Sequence, residues 1–200
     1  METELKKENI LICSIGISLL TAVGLLVCLL SFNMLPLPRS MIFSVSLPTI
    51  FALFLIPKFF QKRFHLETDT QFFKTKLSYI TIPLMLCFSI GYVLLFHNNF
   101  ESYMGAAVII IHYLAVSIGE EFVYRNLLPG LLSKKFNKVS AVIISSLLFA
   151  LILHINEPIL ANLAIRLPLG LIFGTIAAKT KSISYTIMLH TMYNLTVFLL

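Results

Sequence analysis

The sequence predicts an all-α fold, a polytopic transmembrane helical bundle of about seven spans. Of its 200 residues, 58% are hydrophobic and only 12% charged, and the mean hydropathy is +0.93, whereas soluble domains carry about 25% charged residues. The apolar residues fall in long runs without strict alternation. In lipid every backbone donor must be satisfied inside its own segment or a closed barrel, so such runs are helices.

The first span is Ile10 to Phe32, behind a short polar head containing Lys6 and Lys7. It is too long an apolar run, and lacks the small-residue cleavage site, for a removed signal peptide. A Pro-rich turn leads to the second span, Met41 to Pro57, with Pro48 as a kink. Residues 58–76 form the longest polar loop. Its Phe59, Phe60, Phe64, Phe72 and Phe73 suggest amphipathic pieces lying in the membrane interface. The third span is Leu77 to Phe96, the fourth Tyr103 to Leu128, the fifth Val139 to Ile155, the sixth Ile159 to Ala178 and the seventh Ile183 to Leu200. Residues 1–102 read as an N-terminal membrane scaffold of three spans and residues 103–200 as the part carrying chemistry, within one structural domain.

The net charge of +6 records topology rather than a nucleic-acid partner. Twelve of the 15 Lys and Arg fall on loops of one side: Lys6 and Lys7, the five of the 58–76 loop, Lys134, Lys135 and Lys138, and Lys179 and Lys181. The other side has only Arg39. Basic loops face the cytoplasm, so the N-terminus is expected inside and the C-terminus outside. Cys13, Cys28 and Cys87 lie in apolar stretches without a CxxC pattern and read as small core or lipid-facing residues. The oligomeric state is left open.

The informative stretch is Gly119-Glu120-Glu121-Phe122-Val123-Tyr124-Arg125, two carboxylates and a guanidinium inside an apolar run. Each such group costs about 2.5–3.5 kcal/mol at membrane depth, so it faces the protein interior or a wet cavity. Glu121 and Arg125 stand four apart on one helix face, which suits an internal ion pair. Glu120 points about 100° away, has no local cation and is free for chemistry. His154 closes the fifth span. On the seventh, His190 and Asn194 share a face, and an imidazole with a carboxamide can donate hydrogen bonds to one oxyanion. Glu120, His154, His190 and Asn194 thus come from three of the last four spans and can converge in the bundle. Helix rise places Glu120 and His190 about 10–12 Å from the cytoplasmic end, Asn194 about 17 Å and His154 about 22 Å, so His154 is out of step. His112 is one or two turns from the glutamates as an accessory polar residue, while His65 and His97 lie in loops.

At these residues the sequence resembles the CPBP family of intramembrane proteases, also called Abi, which includes CAAX endopeptidases and bacterial relatives linked with bacteriocin processing and immunity. Its EExxxR motif is matched by Glu120, Glu121 and Arg125, and its HxxxN motif by His190 and Asn194. Gly170 to Gly174 resembles its glycine-rich helix. Its FxxxH motif is matched imperfectly, since four residues rather than three separate Phe149 from His154. Asn126 stands where many members have glycine.

The resemblance implies an enzyme of a cell membrane, bacterial and cytoplasmic, that hydrolyses a membrane-associated peptide or protein with the lipid bilayer as its surroundings. Glu120 and His154 would hold and deprotonate water, His190 and Asn194 would stabilise the oxyanion, and Glu121 with Arg125 would support the helix. A competing version gives Glu120, His154 and His190 to a divalent metal such as zinc. Two other readings are a non-catalytic immunity or scaffold protein of this fold and, third, a transporter.

Overall fold

The computed structural model describes residues 7–36, 40–63, 65–100 and 102–199. Lys6, the Lys7 side chain, Arg39 and Phe64 lie outside the described residues. Regular structure there is helical, apart from one isolated parallel bridge between Gln71 and Ser182. Seven long helices follow in order. They are α1 (Lys7–Met34), α2 (Ile42–Arg63), α3 (Lys76–Leu95), α4 (Tyr103–Leu132), α5 (Lys138–Leu153), α6 (Ile159–Thr180) and α7 (Ser184–Phe198). Of these, α1, α2, α3, α4 and α6 are long and apolar enough to cross a membrane, whereas α5 and the 15-residue α7 are shorter. The expected multi-pass helical bundle is therefore what forms.

Local chemistry fixes the helix starts. Ser102 caps α4 by accepting from the Gly105 amide at 3.0 Å, and Asn137 caps α5 by accepting from the Ser140 amide at 2.8 Å. Each bond satisfies one of the orphan amides of a first turn.

Inside the helices, proline sets the geometry. Widened π-turns occupy Ile42–Ser46, Phe51–Leu55, Phe122–Leu127 and Asn162–Arg166, and each ends two residues before a proline, Pro48, Pro57, Pro129 or Pro168. Proline cannot donate to the carbonyl four residues back, and its ring crowds that carbonyl. A wider turn relieves the crowding while the helix continues. This is the form taken by the expected kink at Pro48, and it lets α4 run past Pro129 to Leu132. A fifth π-turn, Phe149–Leu153 in α5, has no such proline.

The basic loops gather on one side of the bundle. Lys138 approaches Asp69 at 3.6 Å, and the 65–75 segment is stitched to the α6–α7 turn: the Gln71 amide donates to Lys181 O and the Ile183 amide to Gln71 O. This segment departs from the sequence expectation. Phe59 and Phe60 do project outward, but Phe72 packs into the bundle, 6.2 Å from the Phe122 ring and 5.7 Å from Phe54. The reason is polar. Pro129 leaves the Arg125 carbonyl without its helical donor, and Thr70 Oγ1 donates to it at 3.1 Å. Asn126 Nδ2 in turn donates to Thr70 O at 2.6 Å. The loop is thereby drawn against α4.

The main core consists of Phe122, Val123, Tyr124, Leu128, Leu148, Phe149, Ala177, Ile183 and Ile187, with Ile17 of α1 packed on it. Lipid tails are as apolar as leucine, so such a core is held by close packing and hydrogen bonds rather than by expulsion of water. The first three helices are not free of polar contacts. Ser14, Ser18 and Thr21 are buried along one face of α1, and Ser18 Oγ is hydrogen-bonded to Tyr124 Oη at 2.8 Å. The cysteines are free, with Cys13 and Cys87 exposed and Cys28 half-buried.

Candidate active site

Glycine lets the elements of the site approach. A Cβ on Gly119 would lie 2.5 Å from Leu53 Cβ, so α2 packs directly on α4 one residue before the glutamate pair. A Cβ on Gly174 would lie 2.8 Å from Val142 Cγ1, which explains the glycine-rich stretch of α6 by its contact with α5. Only a residue without Cβ permits either approach.

Glu120 and Glu121 end the regular part of α4, both buried, at 7% and 0% exposure. Their surroundings differ as expected. Glu121 Oε2 is 3.4 Å from Arg125 Nε, a pair fully enclosed by protein. Arg125 also donates from Nη1 to Tyr124 O at 3.2 Å and lays its guanidinium 4.7 Å from the Phe149 ring centre. The contact sequence reasoning missed is that Glu121 Oε1 accepts from His190 Nδ1 at 2.9 Å. An ionised carboxylate only accepts, so Nδ1 carries the proton and Nε2 is turned toward Glu120. No periodicity rule links residues 69 apart. The only signal was that Glu121 has more acceptor capacity than Arg125 uses.

Glu120 Oε2 stands 3.7 Å from His190 Nε2 and 4.0 Å from His154 Nε2. The two imidazoles therefore meet one carboxylate oxygen from different helices, at spacings longer than direct hydrogen bonds. His154 is in step after all. Because α4 extends to Leu132, Glu120 lies about 18 Å from its helix end, nearer the depth of His154 than a helix ending at Leu128 would set it.

The π-turn of α5 also repairs the imperfect motif. A π-turn joins residues five apart, which places Phe149 and His154 on one face despite the extra residue. Their rings meet edge-on at 5.0 Å, and Phe149 also contacts Tyr124 at 5.4 Å and His190 at 6.3 Å. Asn162, buried in α6, fixes the end of α5 by donating to His154 O at 2.8 Å, and Arg166 Nη1 donates to Asn162 Oδ1 at 3.2 Å. Sequence reasoning missed Asn162 and Arg166, whose signal is two polar residues four apart in an apolar helix.

Asn194 is half-buried one turn beyond His190 on the same face of α7, and no hydrogen bond engages its carboxamide among the described residues. His112 stays apart, with Nδ1 3.2 Å from Ser46 Oγ on α2. His65 and His97 lie in turns away from the glutamates.

Among the described residues, no three His, Cys, Asp or Glu side chains are grouped so as to hold a metal ion. The Glu120 to imidazole spacings of 3.7 and 4.0 Å exceed the edge of a zinc tetrahedron, about 3.4 Å from the usual bond lengths.

With this geometry in place, residues 102–196 match the family model described as Type II CAAX prenyl endopeptidase Rce1-like. Over these residues, a little under half of the chain, the match supports the CPBP/CAAX protease family. The CPBP match begins at the cap of α4 and ends within α7, so it spans every helix that supplies a residue to the cluster. The family is one of peptidases, and the apolar helices make this member a multi-pass membrane protein. No curated protein and no solved structure matches the chain.

Proposed function

We propose that the protein is an intramembrane endopeptidase that cleaves a membrane-associated peptide or protein, CAAX-like or bacteriocin-related, with Glu120 as the general base. The observation that carries this reading is the meeting of Glu120 Oε2 with the Nε2 atoms of His154 and His190 at 4.0 and 3.7 Å. Those spacings suit a water hydrogen-bonded to both the carboxylate and an imidazole. Glu120 takes a proton from that water, and the oxygen adds to the scissile carbonyl carbon. His190, as the imidazolium, donates from Nε2 to the oxyanion, joined by the Asn194 carboxamide. Collapse of the intermediate breaks the C–N bond, and the proton on Glu120 passes to the leaving amine.

Glu121 and Arg125 do not touch the substrate. Their role is to hold the His190 ring and the α4 turn in register. Residues 103–200 act as the catalytic core on a scaffold of residues 1–102. The basic side faces the cytoplasm, with the N-terminus inside a bacterial cytoplasmic membrane, so the substrate enters from that side.

The test is cleavage of candidate membrane-associated peptides by the wild type and by Glu120→Ala, His154→Ala and His190→Ala variants, with insertion and folding checked for each. Cleavage should vanish in all three. A Glu120→Ala variant that is folded, inserted and fully functional in the cell would instead make the protein a binding scaffold for a toxin or a membrane partner.

A further inference from the structure

The cytoplasm-proximal end of α2 carries a cleft that the catalytic reading does not use. Open and about 460 Å³ in volume, it is lined by Lys58, Gln61, Lys62, His65, Leu66 and Glu67. Lys58 and Lys62 are one helical turn apart and project to the same side. Lys58 is held in place, its Nζ donating to Gln61 Oε1 at 2.9 Å and standing 5.4 Å over the Phe122 ring. Arg63 adds a further positive charge to the last turn of this helix, and Glu67 is the one acidic residue lining the cleft.

The helix end is built to aim a histidine there. The Leu66 amide donates to Gln61 O at 2.9 Å and the His65 amide to Lys62 O at 3.4 Å, which is the Schellman pattern. Its left-handed position is normally glycine, but here His65 occupies it at φ 49°. A side chain in that conformation is disfavoured relative to the right-handed region, and strain of this kind points to use of the side chain. Phe59 and Phe60, 64% and 48% exposed, flank the basic residues on the same two turns. Apolar rings beside a basic cleft at the end of a membrane-crossing helix place that cleft at headgroup level.

We propose that this cleft binds the phosphate of an anionic phospholipid, with Lys58 and Lys62 as its counter-charges, His65 as a hydrogen-bond donor and Phe59 with Phe60 against the acyl chains. Occupancy is transmitted inward. Gln61 Nε2 donates to Asn126 Oδ1 at 3.3 Å, and Asn126 is held by Thr70, so the wall of the cleft is bonded to the turn that carries Arg125. The lipid therefore braces the glutamate helix whether or not the chain cleaves peptides.

The chain has no tryptophan, so Phe59→Trp gives a single tryptophan at the cleft, excited at wavelengths where the tyrosines do not absorb. The full-length variant, in phosphatidylcholine bilayers, is titrated with brominated phosphatidylglycerol or brominated phosphatidylcholine. Phosphatidylglycerol should quench with a preference of about fivefold per lysine, falling to parity on adding Lys58→Gln and Lys62→Gln. Lys58→Arg with Lys62→Arg should keep the preference, which guards against misreading a misfolded Gln pair. A Leu163→Trp reporter on the lipid-facing side of α6, in an otherwise unchanged chain, should show parity. Equal quenching at Phe59→Trp, a preference that survives the Gln pair in a folded protein, or its loss in the Arg pair overturns the proposal. Release of phosphatidylglycerol by inorganic phosphate at matched ionic strength would assign the cleft to a free phosphate ligand and overturn the lipid source.

Discussion

Replacing each of the two adjacent glutamates by glutamine should have opposite consequences, because the two carboxylates touch different things. Glu120 has both imidazole neighbours beyond direct hydrogen-bond reach, at 3.7 and 4.0 Å. An amide of the same shape therefore costs little stability, about 1 kcal/mol or less. Removing the base should slow cleavage by about 10²–10⁴-fold. Glu121 is engaged on both oxygens' sides, by an ion pair with Arg125 at 3.4 Å and a hydrogen bond from His190 at 2.9 Å, with no exposed surface of its own. Glu121→Gln leaves the Arg125 cation buried without a counter-charge, a loss of about 3–5 kcal/mol when one partner of a buried pair is removed. It also frees the His190 ring. Initial rates on a quenched-fluorescent, membrane-anchored peptide in proteoliposomes, together with thermal unfolding in detergent, read both quantities. Glu120→Gln should be stable and inactive, and Glu121→Gln unstable. A Glu120→Gln enzyme within about threefold of the wild-type rate, too small a loss for a missing base, would refute the assignment of the base. A Glu121→Gln protein as stable as wild type would refute the division of labour.

Three other outcomes follow from the same geometry. Thr70→Val strips the donor from the Arg125 carbonyl and an acceptor from Asn126, and should destabilise the fold by about 1–3 kcal/mol in an unfolding titration; an unchanged midpoint would show that the loop does not brace α4. Deleting Leu151 from the widened turn of α5 should be tolerated, leaving Phe149 and His154 four apart on one face, whereas deleting Ile144 from the regular part rotates the preceding helix by about 100° and should prevent folding; equal effects on yield and unfolding would contradict the π-turn's role. Stripping metal with a chelator should leave peptide cleavage intact, and stoichiometric zinc whose removal abolishes activity and whose return restores it would overturn the metal-free reading.

The seven helices were legible because each is a long apolar run bounded by charge, proline or a capping residue, and the ends agree within a few residues. The largest shifts, six residues at the end of α2 and four at the end of α4, came from treating Pro57 and Pro129 as boundaries when a wider turn carries the helix past each. The Glu121–Arg125 pair was legible because four residues make one helical step. The His190–Glu121 bond and the insertion of Phe72 were not, since both depend on how distant segments dock. For Phe72 the cause is a single carbonyl left over by Pro129, which a hydroxyl from the loop satisfies. The buried polar face of α1, Ser14, Ser18 and Thr21, is passed over when the first three spans are read as scaffold, because small hydroxyls blend into an apolar run and the partner Tyr124 lies 106 residues from Ser18.

The widened turn of α5 bears on how such a chain can change over evolutionary time. In a regular helix an inserted residue swings everything on one side of it by about 100° and is purged. In a turn that already holds one residue more than it needs, losing that residue leaves the flanking side chains where they were. The distance from Phe149 to His154 is thus better counted in turns than in residues. Histidines of related proteases can sit at slightly different spacings from their aromatic neighbour and still point at the same carboxylate, so a signature written with rigid spacing will overlook some of them.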